Sequence, residues 1–72
     1  MITTKVGLRI KDLRKNVGIS QEKLALIAGI DRTYLASVEN SKRNVSIINL
    51  EKIVLALDCS LADFFSPFKQ VK

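Results

Sequence analysis

The sequence predicts an all-α protein, and three observations support this prediction. Apolar residues make up 47% of the 72 residues and aromatic residues only 6%, so the core must consist of aliphatic side chains. One proline and three glycines leave little room for the turns of a strand-rich fold. Helix-capping residues precede several segments in which apolar residues recur every three or four positions. We expect a single domain over residues 1–72 that buries about 60% of its unfolded surface.

The first helix is predicted to begin at Thr3 or Thr4 and to end at Val17, before Gly18. Arg14 lies beside the apolar stripe of this helix, not opposite to it. The expected core residues are Val6, Ile10, Leu13 and Val17.

The stretch from Ser20 to Glu39 predicts two short helices joined by a sharp turn. Ser20 and Asp31 are the expected N-caps, and Gly29 supplies the positive φ that ends the first of these helices. The expected core residues are Leu24, Ile27 and Ala28 in the first helix, and Tyr34, Leu35 and Val38 in the second. Two short helices at this spacing are typical of a helix-turn-helix motif.

The polar side of the second helix of this motif carries side chains that suit the edges of DNA bases. A helical wheel places one guanidinium, two hydroxyls, one amide and one methyl in a contiguous arc. A guanidinium can donate two hydrogen bonds to guanine, and a methyl group can contact thymine. An ordinary solvated surface is the alternative, and the wheel alone leaves both interpretations open. The arc consists of Arg32, Thr33, Ala36, Ser37 and Asn40.

Two charged features lie at the end of the same helix. Glu39 falls at the boundary between the apolar and the polar arc, and we expect it to pair with Arg14 across the core. Lys42 and Arg43 follow in a polar turn, where they could straddle a phosphate backbone, with a solvated loop as the alternative.

The last part of the chain predicts a fourth helix capped by Ser46 and a short fifth helix after Ser60. The expected core residues of the fourth helix are Ile47, Leu50, Ile53, Val54 and Leu57. A five-residue helix cannot bury three phenylalanines alone, so some of them contact a second chain or fill the core beneath the first helix. We predict a homodimer whose interface includes residues from about 60 to 72. The candidate interface residues are Ile48, Leu55, Leu61, Phe64, Phe65 and Phe68.

The charge of the chain favours a polyanionic partner. Its formal net charge is +5, and residues 1–45 hold nine Lys and Arg against four Asp and Glu, whereas residues 46–72 hold three of each sign. The whole excess therefore lies in the helix-turn-helix half, as expected for a protein that neutralises phosphates. A basic surface that serves only solubility is the alternative.

The sequence lacks the residues that several other classes of function require. One Cys and no His leave no four-ligand zinc site and no intrachain disulfide, so no metal or cofactor is expected. Without His, paired carboxylates on one helix face or a phosphate-binding Gly-rich loop, we expect no enzyme. No apolar run approaches about 18 residues and the N-terminus lacks a signal-peptide apolar region, so we expect a cytoplasmic protein without a membrane partner.

A series of short motifs runs along the chain at fixed spacing: Ser20-Gln21, Leu24-Ala25, Ala28-Gly29, Tyr34-Leu35, Val38-Glu39-Asn40, Leu50-Glu51-Lys52-Ile53 and Ala56-Leu57. From about residue 5 to residue 65 the chain therefore resembles the Xre/Cro (lambda-repressor-like) helix-turn-helix family. Residues 31–34, Glu39 and residues 42–44 resemble most the controller proteins of restriction–modification systems, which are small dimers that regulate their own gene and the endonuclease gene. The resemblance implies a five-helix fold that binds double-stranded operator DNA.

The resemblance also implies roles for individual residues. Arg32, Thr33 and Ser37 would contact bases, and Arg14 and Glu39 match the structural ion pair of the family. The residues that would hold the DNA backbone are Gln21, Tyr34, Asn40, Lys42, Arg43 and Asn44.

The sequence departs from the family pattern at Asp58, where a glycine commonly ends the fourth helix, so a differently shaped turn is possible there. Two alternatives to a controller protein also remain. A phage or plasmid repressor or an antitoxin would use the same DNA chemistry, and a helical protein-interaction module would bind no DNA.

Overall fold

Five helices form the fold in a computed structural model that describes residues 1–68. They are α1 (Ile2–Val17), α2 (Gln21–Ala28), α3 (Arg32–Glu39), α4 (Ile47–Ala56) and α5 (Leu61–Phe65). The prediction of an all-α fold is confirmed, and no strand occurs within the described residues.

Side-chain caps fix the starts of four helices. Each capping oxygen accepts a hydrogen bond from the backbone N–H three residues later, which has no partner within its own helix. These caps are Ser20, Asp31, Ser46 and Ser60. The first helix lacks such a cap and begins at Ile2, earlier than the predicted Thr3 or Thr4.

The core lies where α1 packs across α3 and where α2 packs against α3 and α4. Each of the five helices contributes at least one buried apolar side chain. The fully buried residues are Ile10, Leu24, Leu35, Val38, Ile53, Val54 and Phe64.

Three residues expected in the core are exposed, namely Val17, Ile27 and Ile47. Each lies in a terminal turn of its helix. Periodicity gives the direction of a side chain but not the extent of its packing partner. Gly7 is buried instead, at the position where α1 crosses α3.

Asp58 forms the same kind of helix end that a glycine would form. Its φ of 57° lies in the left-handed region. The N–H of Cys59 donates to the Val54 carbonyl over 3.2 Å, which closes the end of α4. The altered turn anticipated at this position is therefore not found.

Asp58→Gly is expected to stabilise the protein by about 0.5–1 kcal/mol, because glycine adopts a positive φ without a steric penalty. Urea denaturation at a fixed protein concentration measures the change. Lys52→Gly, at an exposed position inside α4, is the matched control and should destabilise by about 1 kcal/mol. Equal losses in both variants would contradict this interpretation of the turn.

Candidate nucleic-acid interface

The helix-turn-helix motif has a rigid turn. Gly29, with φ 71°, ends α2, and the N–H of Ile30 donates to the Ala25 carbonyl over 3.0 Å. Asp31 then caps α3 by accepting the N–H of Tyr34 at 3.1 Å. Two successive terminal caps therefore fix the angle between the two helices.

A buried ion pair connects this motif to α1. Arg14 Nε lies 2.8 Å from Glu39 Oε2, and Arg14 Nη2 lies 3.0 Å from Glu39 Oε1. The two residues are 9% and 2% exposed. A two-pronged contact of this kind restricts both side chains to one geometry.

Two further hydrogen bonds extend the pair into a network. Arg14 Nη1 donates to the Ile19 carbonyl over 2.9 Å, and Gln21 Nε2 donates to Glu39 Oε1 over 3.0 Å. The network thus joins α1, the first residue of α2 and the last residue of α3. Gln21, expected as a phosphate contact, uses one amide hydrogen here and retains a second one on a half-buried side chain.

The polar arc of α3 faces solvent, while Leu35 and Val38 are buried on its other side. Of the expected base-contacting residues, Arg32 and Thr33 are exposed and Ser37 is half-buried. Asn40, at the end of the helix, is exposed as well. The arc is therefore a continuous outer surface that presents a guanidinium and hydroxyl groups.

Tyr34 attaches the following loop to α3. Its hydroxyl oxygen accepts the N–H of Ser46 at 3.3 Å, and the Arg43 guanidinium carbon lies 5.4 Å from the centre of its ring. The second contact is a cation–π interaction. Lys42, Arg43 and Asn44 are all exposed on this loop. The basic turn therefore lies at the edge of the α3 surface.

A second, apolar surface is formed by α4, α5 and the residues after α5. Ile48 and Leu55 are each 66% exposed, and Leu61 is exposed as well. Phe65 and Phe68 are half-buried. Residues 69–72, which we expected to contribute to the dimer interface, lie outside the described residues.

Phe64 does not belong to this apolar surface, contrary to expectation. It was a candidate interface residue, but its side chain is 0% exposed and belongs to the core. In a five-residue helix only one of two adjacent phenylalanines can point inward, because successive side chains diverge by about 100°. The sequence could not decide which of them does so.

Cys59 is a packing residue with a raised pKa. Burial is the main cause, and the Asp63 and Asp58 carboxylates also raise the pKa of this thiol, while Arg9 acts in the opposite direction. A raised pKa lowers the thiolate fraction, so Cys59 lacks the environment of a reactive cysteine.

The described part of the chain holds no group of three or more His, Cys, Asp or Glu residues placed to bind a metal. Among residues 1–68, none of the helices combines the length and apolarity that a membrane crossing requires.

Known proteins resemble this chain over most of its length. Residues 10–64 match a family described as helix-turn-helix. The control protein C.MunI of a Mycoplasma species is 44% identical over 70 residues, covering 96% of this chain and 95% of that protein. The crystal structure of the restriction–modification controller protein C.AhdI from Aeromonas hydrophila has a TM-score of 0.84 at 43% identity, covering 88% of this chain and 96% of that one. A second controller protein, C.Esp1396I, as a tetramer in complex with its natural 35-base-pair operator, has a TM-score of 0.89 at 37% identity, covering 93% and 88%.

Proposed function

The chain belongs to the helix-turn-helix family, and we propose that it is a restriction–modification controller protein that binds operator DNA as a homodimer in the cytoplasm. One observation carries this proposal. The outer arc of α3 holds an exposed guanidinium and hydroxyls on a helix that caps and a buried ion pair keep in place. Relatives of nearly the same length carry the controller name. The proposed activity is transcriptional regulation without catalysis.

In the proposed complex, the N-terminal part of α3 enters the major groove. Arg32 would donate two hydrogen bonds to a guanine, while Thr33 and Ser37 contact neighbouring bases. The phosphates would be held by the ends of the motif and by the basic loop. These phosphate-contacting residues are Gln21, Tyr34, Asn40, Lys42, Arg43 and Asn44.

The second amide hydrogen of Gln21 gives the network a proposed role in DNA binding. Because Glu39 accepts one hydrogen of the Gln21 amide, the other has a defined direction and can donate to a phosphate. The same contact would link the position of α3 to the DNA backbone.

The proposed dimer uses the apolar surface of α4 and α5. Ile48 and Leu55 would meet their counterparts across a two-fold axis, with Leu61, Phe65 and Phe68 beside them. Two α3 helices would then enter successive major grooves about 34 Å apart. The operator is accordingly expected to be approximately palindromic.

The proposal is tested by footprinting the protein on DNA from directly upstream of its own gene. We expect protection of two half-sites separated by one helical turn, with an affinity that falls as salt concentration rises. Absence of binding to any duplex at low ionic strength would reject DNA binding and favour a protein-interaction module.

Two arginine substitutions distinguish base recognition from phosphate contact. Each removes one exposed guanidinium, from α3 in Arg32→Ala and from the basic loop in Arg43→Ala. Arg32→Ala is expected to weaken operator binding by about 1–3 kcal/mol and binding to random DNA by less. Arg43→Ala should weaken binding to all sequences similarly and reduce the salt slope by about one unit. Fluorescence anisotropy with an operator duplex and a random-sequence duplex measures the dissociation constants of both variants. Equal losses on both duplexes for Arg32→Ala would make Arg32 a phosphate contact.

A further inference from the structure

We propose that Arg9 is a positioning residue for dimerisation: its guanidinium holds α5 against α1, so that the apolar side chains of residues 61–68 face a second copy of this chain. The inference rests on the dimer proposed above. It assigns to a residue of α1 the control of an interface built from α4 and α5.

Arg9 binds the carbonyl groups at the end of α5. Its Nε donates to the Phe64 carbonyl over 2.8 Å, and its Nη2 donates to the Asp63 carbonyl over 2.9 Å. Among the described residues, Arg9 is the only donor to the Phe64 carbonyl, which would otherwise need water. The Asp63 carbonyl also accepts the N–H and the hydroxyl group of Ser66. The guanidinium carbon also lies 5.9 Å from the centre of the Phe64 ring, in a cation–π contact.

Few polar contacts other than those of Arg9 attach α5 to the rest of the described chain. The helix has five residues, too few to be stable alone, and only Phe64 among them is buried. Within residues 1–68, the two Arg9 hydrogen bonds are the only ones that connect residues 60–68 with a distant part of the chain. Without Arg9, the orientation of α5 would depend on apolar packing alone, through buried Phe64 and half-buried Phe65 and Phe68.

The orientation of α5 sets the shape of the proposed interface. The rings of Phe64 and Phe65 are 5.0 Å apart, and those of Phe65 and Phe68 are 5.1 Å apart, both edge to face. The three rings therefore form one cluster anchored in the core by Phe64. A rotation of α5 would move the two outer rings relative to Ile48 and Leu55, which belong to a separate helix.

An arginine suits this role better than a lysine does. The planar guanidinium donates in two directions with fixed geometry, which matches two successive carbonyls. A lysine would keep the charge but lose this geometry, and a methionine would keep the aliphatic stem alone. Comparing Arg9→Lys with Arg9→Met separates the effect of the charge from the effect of the two-pronged contact.

The test compares Arg9→Met with Lys5→Met, which removes one exposed positive charge from the same helix. Sedimentation equilibrium of the full chain should give an Arg9→Met dimer dissociation constant about tenfold higher or more, because two charge-assisted hydrogen bonds are lost in each protomer. Lys5→Met should dimerise like the wild type. The dimer dissociation constant of Arg9→Lys should lie between those of the wild type and Arg9→Met.

A second measurement excludes general destabilisation as the cause. Amide hydrogen exchange in Arg9→Met should accelerate for Phe64, whose N–H donates to the carbonyl of Ser60, the N-cap of α5. Amides of α2 and α3 should keep their wild-type exchange rates. Acceleration throughout the chain would show that Arg9 stabilises the whole fold and would overturn its proposed role.

The outcomes separate this inference from the proposed dimer. A wild-type chain that stays monomeric at micromolar concentration rejects both. A dimeric wild type with an equally tight Arg9→Met dimer overturns the role of Arg9 alone. If Arg9→Met does not fold, Arg9→Lys decides: a weaker dimer supports the inference, and an unchanged dissociation constant overturns it.

Discussion

Arg14→Met is expected to lower the free energy of unfolding by about 3–5 kcal/mol. Glu39, 2% exposed, accepts two hydrogen bonds from Arg14 and one from Gln21. Methionine would preserve most of the volume of the arginine stem but leave the buried carboxylate with one donor. For a domain whose total stability is about 5–15 kcal/mol, this is a large fraction. Urea denaturation at a fixed protomer concentration measures the loss.

Two controls identify the cause of this loss. Lys15→Met removes an exposed charge from the same helix and should change stability by no more than about 0.5 kcal/mol. The double variant Arg14→Met with Glu39→Leu removes both charges together and should recover most of the stability, because no unpaired charge stays buried. An Arg14→Met variant as stable as the wild type would contradict the importance of the pair.

The same substitution should also impair DNA binding under conditions where the variant is still folded. Glu39 is the last residue of α3, and Arg14 fixes its position relative to α1. A looser α3 would pay an additional ordering cost when it enters the groove. We expect this loss to be larger on the operator than on random DNA, since only base contacts require a precise helix position.

The sequence predicted the helices and the motif because both depend on local rules. Caps such as Ser20 and Asp31 act on N–H groups three residues away, and their positions mark the helix starts directly. The wheel placed Arg14 and Glu39 at the boundaries of their apolar stripes, where two helices in contact can bring opposite charges together. The outward direction of Arg32 followed from the same periodicity.

Features that depend on distant parts of the chain escaped prediction. Arg9 binds carbonyls 54 and 55 residues away, and no pattern around Arg9 indicates a partner. The choice of Phe64 over Phe65 for the core depends on where α5 meets the rest of the protein. Gly7 is a further case, because a glycine in the middle of a predicted helix looks unfavourable until the neighbouring helix is known.

Gly7 lies where the backbone of α1 meets the end of α3. A Cβ added at this position would overlap the carbonyl oxygen of Val38 and lie 3.0 Å from that of Glu39. Both neighbours are backbone atoms, which cannot turn aside as a flexible side chain can. Glycine therefore permits a helix crossing close enough for Arg14, two turns further along α1, to reach Glu39.

Gly7→Ala is expected to destabilise the protein by about 2–4 kcal/mol, although alanine favours the helix by about 1 kcal/mol over glycine. The overlap must be relieved by moving α1 away from α3, which separates the apolar side chains packed between them. Asn16→Ala, at an exposed position of the same helix, gains helix propensity without a clash and should be slightly stabilising. Thermal and urea denaturation should therefore give changes of opposite sign in the free energy of unfolding of the two variants. A stabilising Gly7→Ala would mean that helix propensity outweighs the crossing and that α1 and α3 lie further apart than the contact at Gly7 indicates.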